Sequence, residues 1–148
     1  MITLNLPEAN FKIKKEGGKV SIFDNIRKKY VALTPEEWVR QHFVNYLIHH
    51  LGYPRALFRV ESSLPFHNEQ KRSDILIYNR DGNPWFLTEC KSPFIKLSQN
   101  AFNQVSIYNM KVGAKYLCVT NGLVHYCYLF PSQGQKIVLL PDFPAFED

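Results

Sequence analysis

Apolar positions along the chain change their spacing several times, and each change marks an element. Phe11 to Phe23 predicts two short strands on either side of Gly17-Gly18, a two-residue hairpin signal. The spacing then turns helical: Trp38, Val39, Phe43, Tyr46, Leu47 and Leu51 recur every three to four residues. Thr34 supplies the N-cap, Pro35 the first helical position and Glu37 the third residue of a capping box, while Gly52 and Pro54 end the run. Three strand-like stretches follow, Leu57 to Leu64, Arg72 to Tyr78 and Trp85 to Lys91, the last two separated by turn-rich residues from Asn79 to Pro84. Ser98 caps a second helix ending near Gly113. Tyr116 to Thr120 and Leu123 to Phe130 flank Asn121-Gly122, a second hairpin signal. Beyond Pro131 an irregular extension carries one short strand, Ile137 to Leu140. This order predicts an α/β (α+β) fold with a mixed sheet and few helices.

Composition narrows the class. The chain has 148 residues, 45% hydrophobic and 21% charged, which suits one globular domain over residues 1–148 and excludes disorder. Three cysteines (Cys90, Cys118, Cys127) without a CxxC pair argue against a disulfide framework or a zinc site. No apolar stretch is long enough to span a membrane, and the N-terminus lacks the order of a signal peptide. The expectation is a soluble, cytoplasmic protein in a reducing compartment, without membrane contact. The net charge is +5, and residues 1–30 hold most of it: Lys12, Lys14, Lys15, Lys19, Arg27, Lys28 and Lys29 against Glu8, Glu16 and Asp24. This excess suits a polyanion partner, although solubility alone also accounts for it. None of the five histidines shows ligand spacing tied to a carboxylate; His42 and His49 fall within the amphipathic first helix. Neither a glycine-rich phosphate loop nor a Ser/His/Asp signature is present.

The chemistry concentrates where charge interrupts the apolar strands. With side chains alternating faces, Trp85, Leu87, Glu89 and Lys91 share one side of their strand, and Cys90 points to the other. Glu89 and Lys91 then stand about 6.6 Å apart along the strand. An antiparallel register with Tyr78 opposite Trp85 sets Asp74 opposite Glu89. Two facing carboxylates repel unless a cation lies between them or one is protonated. A bridging divalent metal is one reading. The other is an edge-strand charge pattern in which Glu89 and Lys91 are solvated or paired with each other.

Asp74, a turn and then Glu89-Cys90-Lys91 resembles the split motif of the PD-(D/E)xK nuclease superfamily. Four stretches more closely resemble the N-terminal nuclease domain of type I restriction enzyme R subunits, in a short stand-alone form: Thr34 to Gln41, Arg72 to Asn79, Trp85 to Lys91, and Gln104 to Tyr108. The resemblance covers about residues 34–130, with 1–33 as an N-terminal β-hairpin extension and 131–148 as a C-terminal one. It implies a restriction-endonuclease-like mixed central sheet flanked by helices. Asp74 and Glu89 would ligate Mg²⁺ or Mn²⁺ together with the Cys90 carbonyl, and Lys91 would position the attacking water and stabilise charge at the phosphate. Glu37, or alternatively Glu36, would be an outer acidic residue, although the capping box already accounts for Glu37. Gln104 and Tyr108 would help hold the site or DNA, and Lys71 and Arg72 would contact phosphate. The sequence has Ser73 where the superfamily name puts proline. No helicase motor follows, so translocation is not among the expectations.

The resulting expectation is a metal-dependent deoxyribonuclease in restriction or repair, alone, as a homodimer or with a partner subunit. A catalytically silent nuclease-fold module that binds nucleic acid or a restriction or repair partner is the alternative.

Overall fold

A computed structural model describes residues 1–60, 75–131 and 135–147. Strands β1 (Ile13–Glu16) and β2 (Lys19–Asp24) pair antiparallel with Glu16 opposite Lys19, so Gly17 and Gly18 form the whole turn. Both take positive φ, 55° and 78°, as a turn matched to strand twist requires. A third strand, β3 (Lys29–Ala32), was not anticipated. Its turn is organised by Asp24, whose Oδ1 accepts the backbone N–H groups of Ile26 (2.8 Å) and Arg27 (3.0 Å). Side-chain turns of this kind need no glycine or proline, which are the usual punctuation.

The second sheet has six strands in sequential order: β4 (Phe58–Val60), β5 (Ile75–Tyr78), β6 (Pro84–Cys90), β7 (Tyr116–Thr120), β8 (His125–Leu129) and β9 (Val138–Leu139). Among the described residues only β6 and β7 run parallel, joined by a crossover through α2 (Gln99–Val112). Period-two alternation divides the strands between two cores. Ile75, Ile77, Phe86 and Cys90 pack with Val39, Phe43 and Leu47 of α1 (Pro35–His49). Leu76, Leu87, Leu117 and Val119 pack with Val105 of α2. Cover on both faces explains why these strands read as nearly continuous apolar runs.

Both predicted caps form. The Thr34 hydroxyl accepts the Glu37 N–H at 3.1 Å, the Ser98 hydroxyl accepts the Ala101 N–H at 3.2 Å, and Gly113 closes α2 at φ 79°. Helix α1, expected to be amphipathic, is instead enclosed on several sides: Arg40, Gln41 and His42 are buried along with its apolar residues. The N-terminal segment accounts for part of this cover. Trp38 Nε1 donates to the Ile2 carbonyl at 2.8 Å, and the His42 ring lies 4.8 Å from that of Phe11.

The expected β5–β6 register holds for Ile75–Thr88, Leu76–Leu87 and Ile77–Phe86. It shifts at the next step, where Tyr78 faces Pro84 rather than Trp85. Trp85 is the extra residue of this bulge and so leaves the strict alternation. It does not join the Leu87 side, as the alternation predicted, but packs against Tyr53, Tyr116 and Phe146 in the α1-side core. Strand β4 ends its described length at Val60; residues 61–64 and 72–74 of the predicted strands lie outside the described residues. Among the described residues no helix is long and apolar enough to cross a membrane.

Candidate functional site

Glu89 and Lys91 sit at the C-terminal end of β6, with two strands on one side of it and three on the other. β6 is therefore not an edge strand, although Glu89 and Lys91 are paired with each other as that reading has it. Glu89 is held beside Val119 of β7 by the parallel register, on the face that Leu87 and Val119 share beneath α2. Its side chain is only 5% exposed. The pairing with β7 continues one residue past Cys90, because the Lys91 N–H donates to the Thr120 carbonyl at 2.8 Å. This keeps the Lys91 side chain on the Glu89 side, and Nζ lies 3.6 Å from Glu89 Oε2. Lys91 is 29% exposed, so its ammonium reaches solvent while it partly neutralises a carboxylate that does not. Such a pair can bind an anion or a cation at its open end, and the carboxylate oxygens of Glu89 suit a hard ion.

The Cys90 thiol is packed into the α1-side core, as alternation requires, so a contribution from Cys90 would come from its backbone. Asp74, Arg72 and Lys71 lie outside the described residues. Among the described residues no group of three or more His, Cys, Asp and Glu side chains is placed to hold a metal ion. Gln104 is exposed on α2, whereas Tyr108 is half-buried and packs against the α2-side core.

Glu37 has a different setting. Its carboxylate contacts Arg40, accepts from Gln41 Nε2 at 2.8 Å and lies 3.4 Å from Arg27 Nη2. Glu36 stands beside it in the first turn of α1. The same two arginines hold Asp24: Arg40 Nη2 and Arg27 Nε each approach Oδ2 at 2.8 Å. Asp24 and Arg40 are both 1% exposed. Burial alone would raise the Asp24 carboxyl pKa. The charge and hydrogen bond of Arg40, with the hydrogen bonds of Arg27, outweigh it and hold the group well below the usual carboxylate range. This network ties the three-stranded sheet to α1. Sequence spacing gave no sign of it, since Asp24 and Arg40 are sixteen residues apart. It also removes Arg27 from the exposed basic set, in which Lys12, Lys14, Lys15, Lys19, Lys28 and Lys29 remain.

The sequence reading also passed over Tyr126 and Tyr128. Their register partners are Val119 and Leu117, so they continue the Glu89 face across β8. Their spacing of two within a strand was the available signal.

A comparison with curated proteins finds no match. The span from the first residue of α1 to beyond β9, residues 35–144, matches the family described as the type I restriction enzyme R protein N terminus. This span contains Glu37, Glu89, Lys91, both helices and the whole six-stranded sheet, and leaves out β1–β3. The chain belongs to the family of type I restriction enzyme R protein N-terminal domains.

Proposed function

We propose that this chain is a nuclease module that hydrolyses DNA phosphodiester bonds with the help of Mg²⁺ or Mn²⁺. The observation that carries this reading is the buried Glu89 carboxylate at the open end of a central strand, with Lys91 Nζ 3.6 Å away, in a restriction-enzyme family. The β5–β6 ladder adds support. Ile75 pairs with Thr88, and the residues flanking that pair in the chain are Asp74 and Glu89.

In this reading Asp74, Glu89 and the Cys90 carbonyl would hold the metal, which would supply Lewis acidity and lower the pKa of bound water. Lys91 orients the attacking water and stabilises charge developing on the phosphate. Arg72, Gln104 and Tyr108 assist DNA binding, and Glu37 acts through the arginine network that fixes α1. The three cysteines are free and buried, which accords with a reducing, cytoplasmic setting. DNA is the partner, with a second copy or a restriction subunit as further candidates.

The test is incubation of purified protein with linear, circular and single-stranded DNA in Mg²⁺ or Mn²⁺, beside Glu89→Gln and Lys91→Ala. Cleavage lost in both variants supports the assignment, and equal cleavage in all three proteins overturns it. Binding without cleavage by the wild type identifies a silent DNA-binding module instead.

A further inference from the structure

A hollow of about 190 Å³ opens between the start of α2 and strand β8, lined by Ser98, Gln99, Phe102, Val119, Tyr126 and Tyr128. It lies on the face that carries Glu89. The parallel register sets Val119 beside Glu89, and the antiparallel register sets Tyr126 beside Val119, so the three form one row across the sheet. Two strand spacings separate Glu89 from Tyr126, about 9–10 Å.

The lining chemistry fits a base. The Phe102 and Tyr128 rings pack 4.4 Å apart as a wall, and Tyr126, 42% exposed, leaves a large part of its ring to solvent. Among the described residues no carboxylate lines the hollow, and the first turn of α2 has no acidic residue. Exposed Lys96 stands just ahead of it in the chain, in the segment between the Glu89 strand and α2. Solvent-facing aromatic rings on which bases stack are the usual make-up of a single-strand binding site.

We propose that this hollow receives an unpaired nucleobase of the strand whose phosphate lies at Glu89 and Lys91, with Tyr126 as the stacking platform. The inference rests on the nuclease reading and specifies its substrate as a strand with at least one unstacked nucleotide beside the cleaved bond. A base paired within an intact duplex cannot offer its face to Tyr126 without being extruded.

Fluorescence anisotropy with a short labelled oligothymidylate, and with a blunt duplex of equal length, tests this with chelator present so that binding is read without cleavage. Wild type is expected to prefer the single strand. Tyr126→Ala should bind it about 5- to 150-fold more weakly, the range that loss of one stacked base gives. Tyr126→Phe should retain binding, and melting curves verify that both variants fold. If Tyr126→Ala binds as wild type does, or Tyr126→Phe loses as much as Tyr126→Ala, base stacking on Tyr126 is refuted. If wild type cleaves duplex DNA with metal in a Glu89-dependent way yet shows no single-strand preference, the hollow is refuted and the nuclease reading stands. Absence of both binding and cleavage overturns the two together.

Discussion

Neutralising Asp24 tests the buried network most directly. Asp24→Asn keeps an oxygen for the backbone N–H groups of Ile26 and Arg27, so the turn before β3 retains its local bonds. The change instead sets an amide donor against the Arg27 and Arg40 donors, where Oδ2 now accepts from both at 2.8 Å. Two guanidiniums, one of them 1% exposed, then share the Glu37 carboxylate. Removing one member of a buried ion pair costs about 3–5 kcal/mol. For a chain of this size each kcal/mol moves the melting temperature by about 2–4 °C, so the expected drop is roughly 6–20 °C. Glu37→Gln should cost less, about 1.5–3 kcal/mol, because Glu37 is more exposed and Arg40 keeps Asp24. The pH dependence has a definite sign. A carboxyl whose pKa is depressed on folding contributes stability that is complete above its ordinary value of 3.8 and is lost as pH falls through its lower folded value. The gap between wild type and Asp24→Asn should therefore be constant from neutral pH down to about 4 and narrow only below it. Melting curves across that range supply the measurement. A loss under about 1 kcal/mol at neutral pH would show that the arginines do not depend on Asp24, and the account of how the three-stranded sheet is fastened to α1 would fail.

Three further outcomes follow from other parts of the molecule. Mg²⁺ or Mn²⁺ at a hundredfold excess over Kd should stabilise the wild type by about 2.7 kcal/mol, and Glu89→Gln or Asp74→Asn should abolish that gain; an equal shift in all three proteins removes these carboxylates from the metal assignment. Gly122→Ala should destabilise by about 1–3 kcal/mol in denaturant titration, because φ is 86° and the new Cβ would meet Leu4 Cδ2 at 2.9 Å and Val39 Cγ2 at 3.0 Å. His42 and His125 both have pKa values below the ordinary 6.5, chiefly through burial, although each also hydrogen-bonds to a backbone carbonyl. The unfolded chain therefore binds more protons below about pH 6.5, so stability should fall on acidification through that range, and His125→Asn should flatten part of the slope; an identical slope would exclude His125.

Local features were legible because their causes are local. Thr34, Ser98, Gly17, Gly18 and Gly113 act within a few residues of themselves, and their caps and turns are where the sequence predicts them. The Glu-x-Lys spacing likewise placed Glu89 and Lys91 on one face before any partner strand was known, since alternation belongs to the strand itself. The β5–β6 register was readable over three pairs, because a one-residue slip would turn Leu76 and Leu87 to the wrong core. It failed at Tyr78, where a bulge inserts Trp85 and leaves no mark in the period-two pattern. Only the tertiary structure decided that β6 lies inside the sheet and that the Glu89 side chain is buried there. It alone joined Asp24 to Arg40 and set Tyr126 in the row of Glu89. Those juxtapositions depend on a parallel crossover and on a small sheet closing over a helix, and contacts between segments far apart in the chain leave no periodicity in either segment.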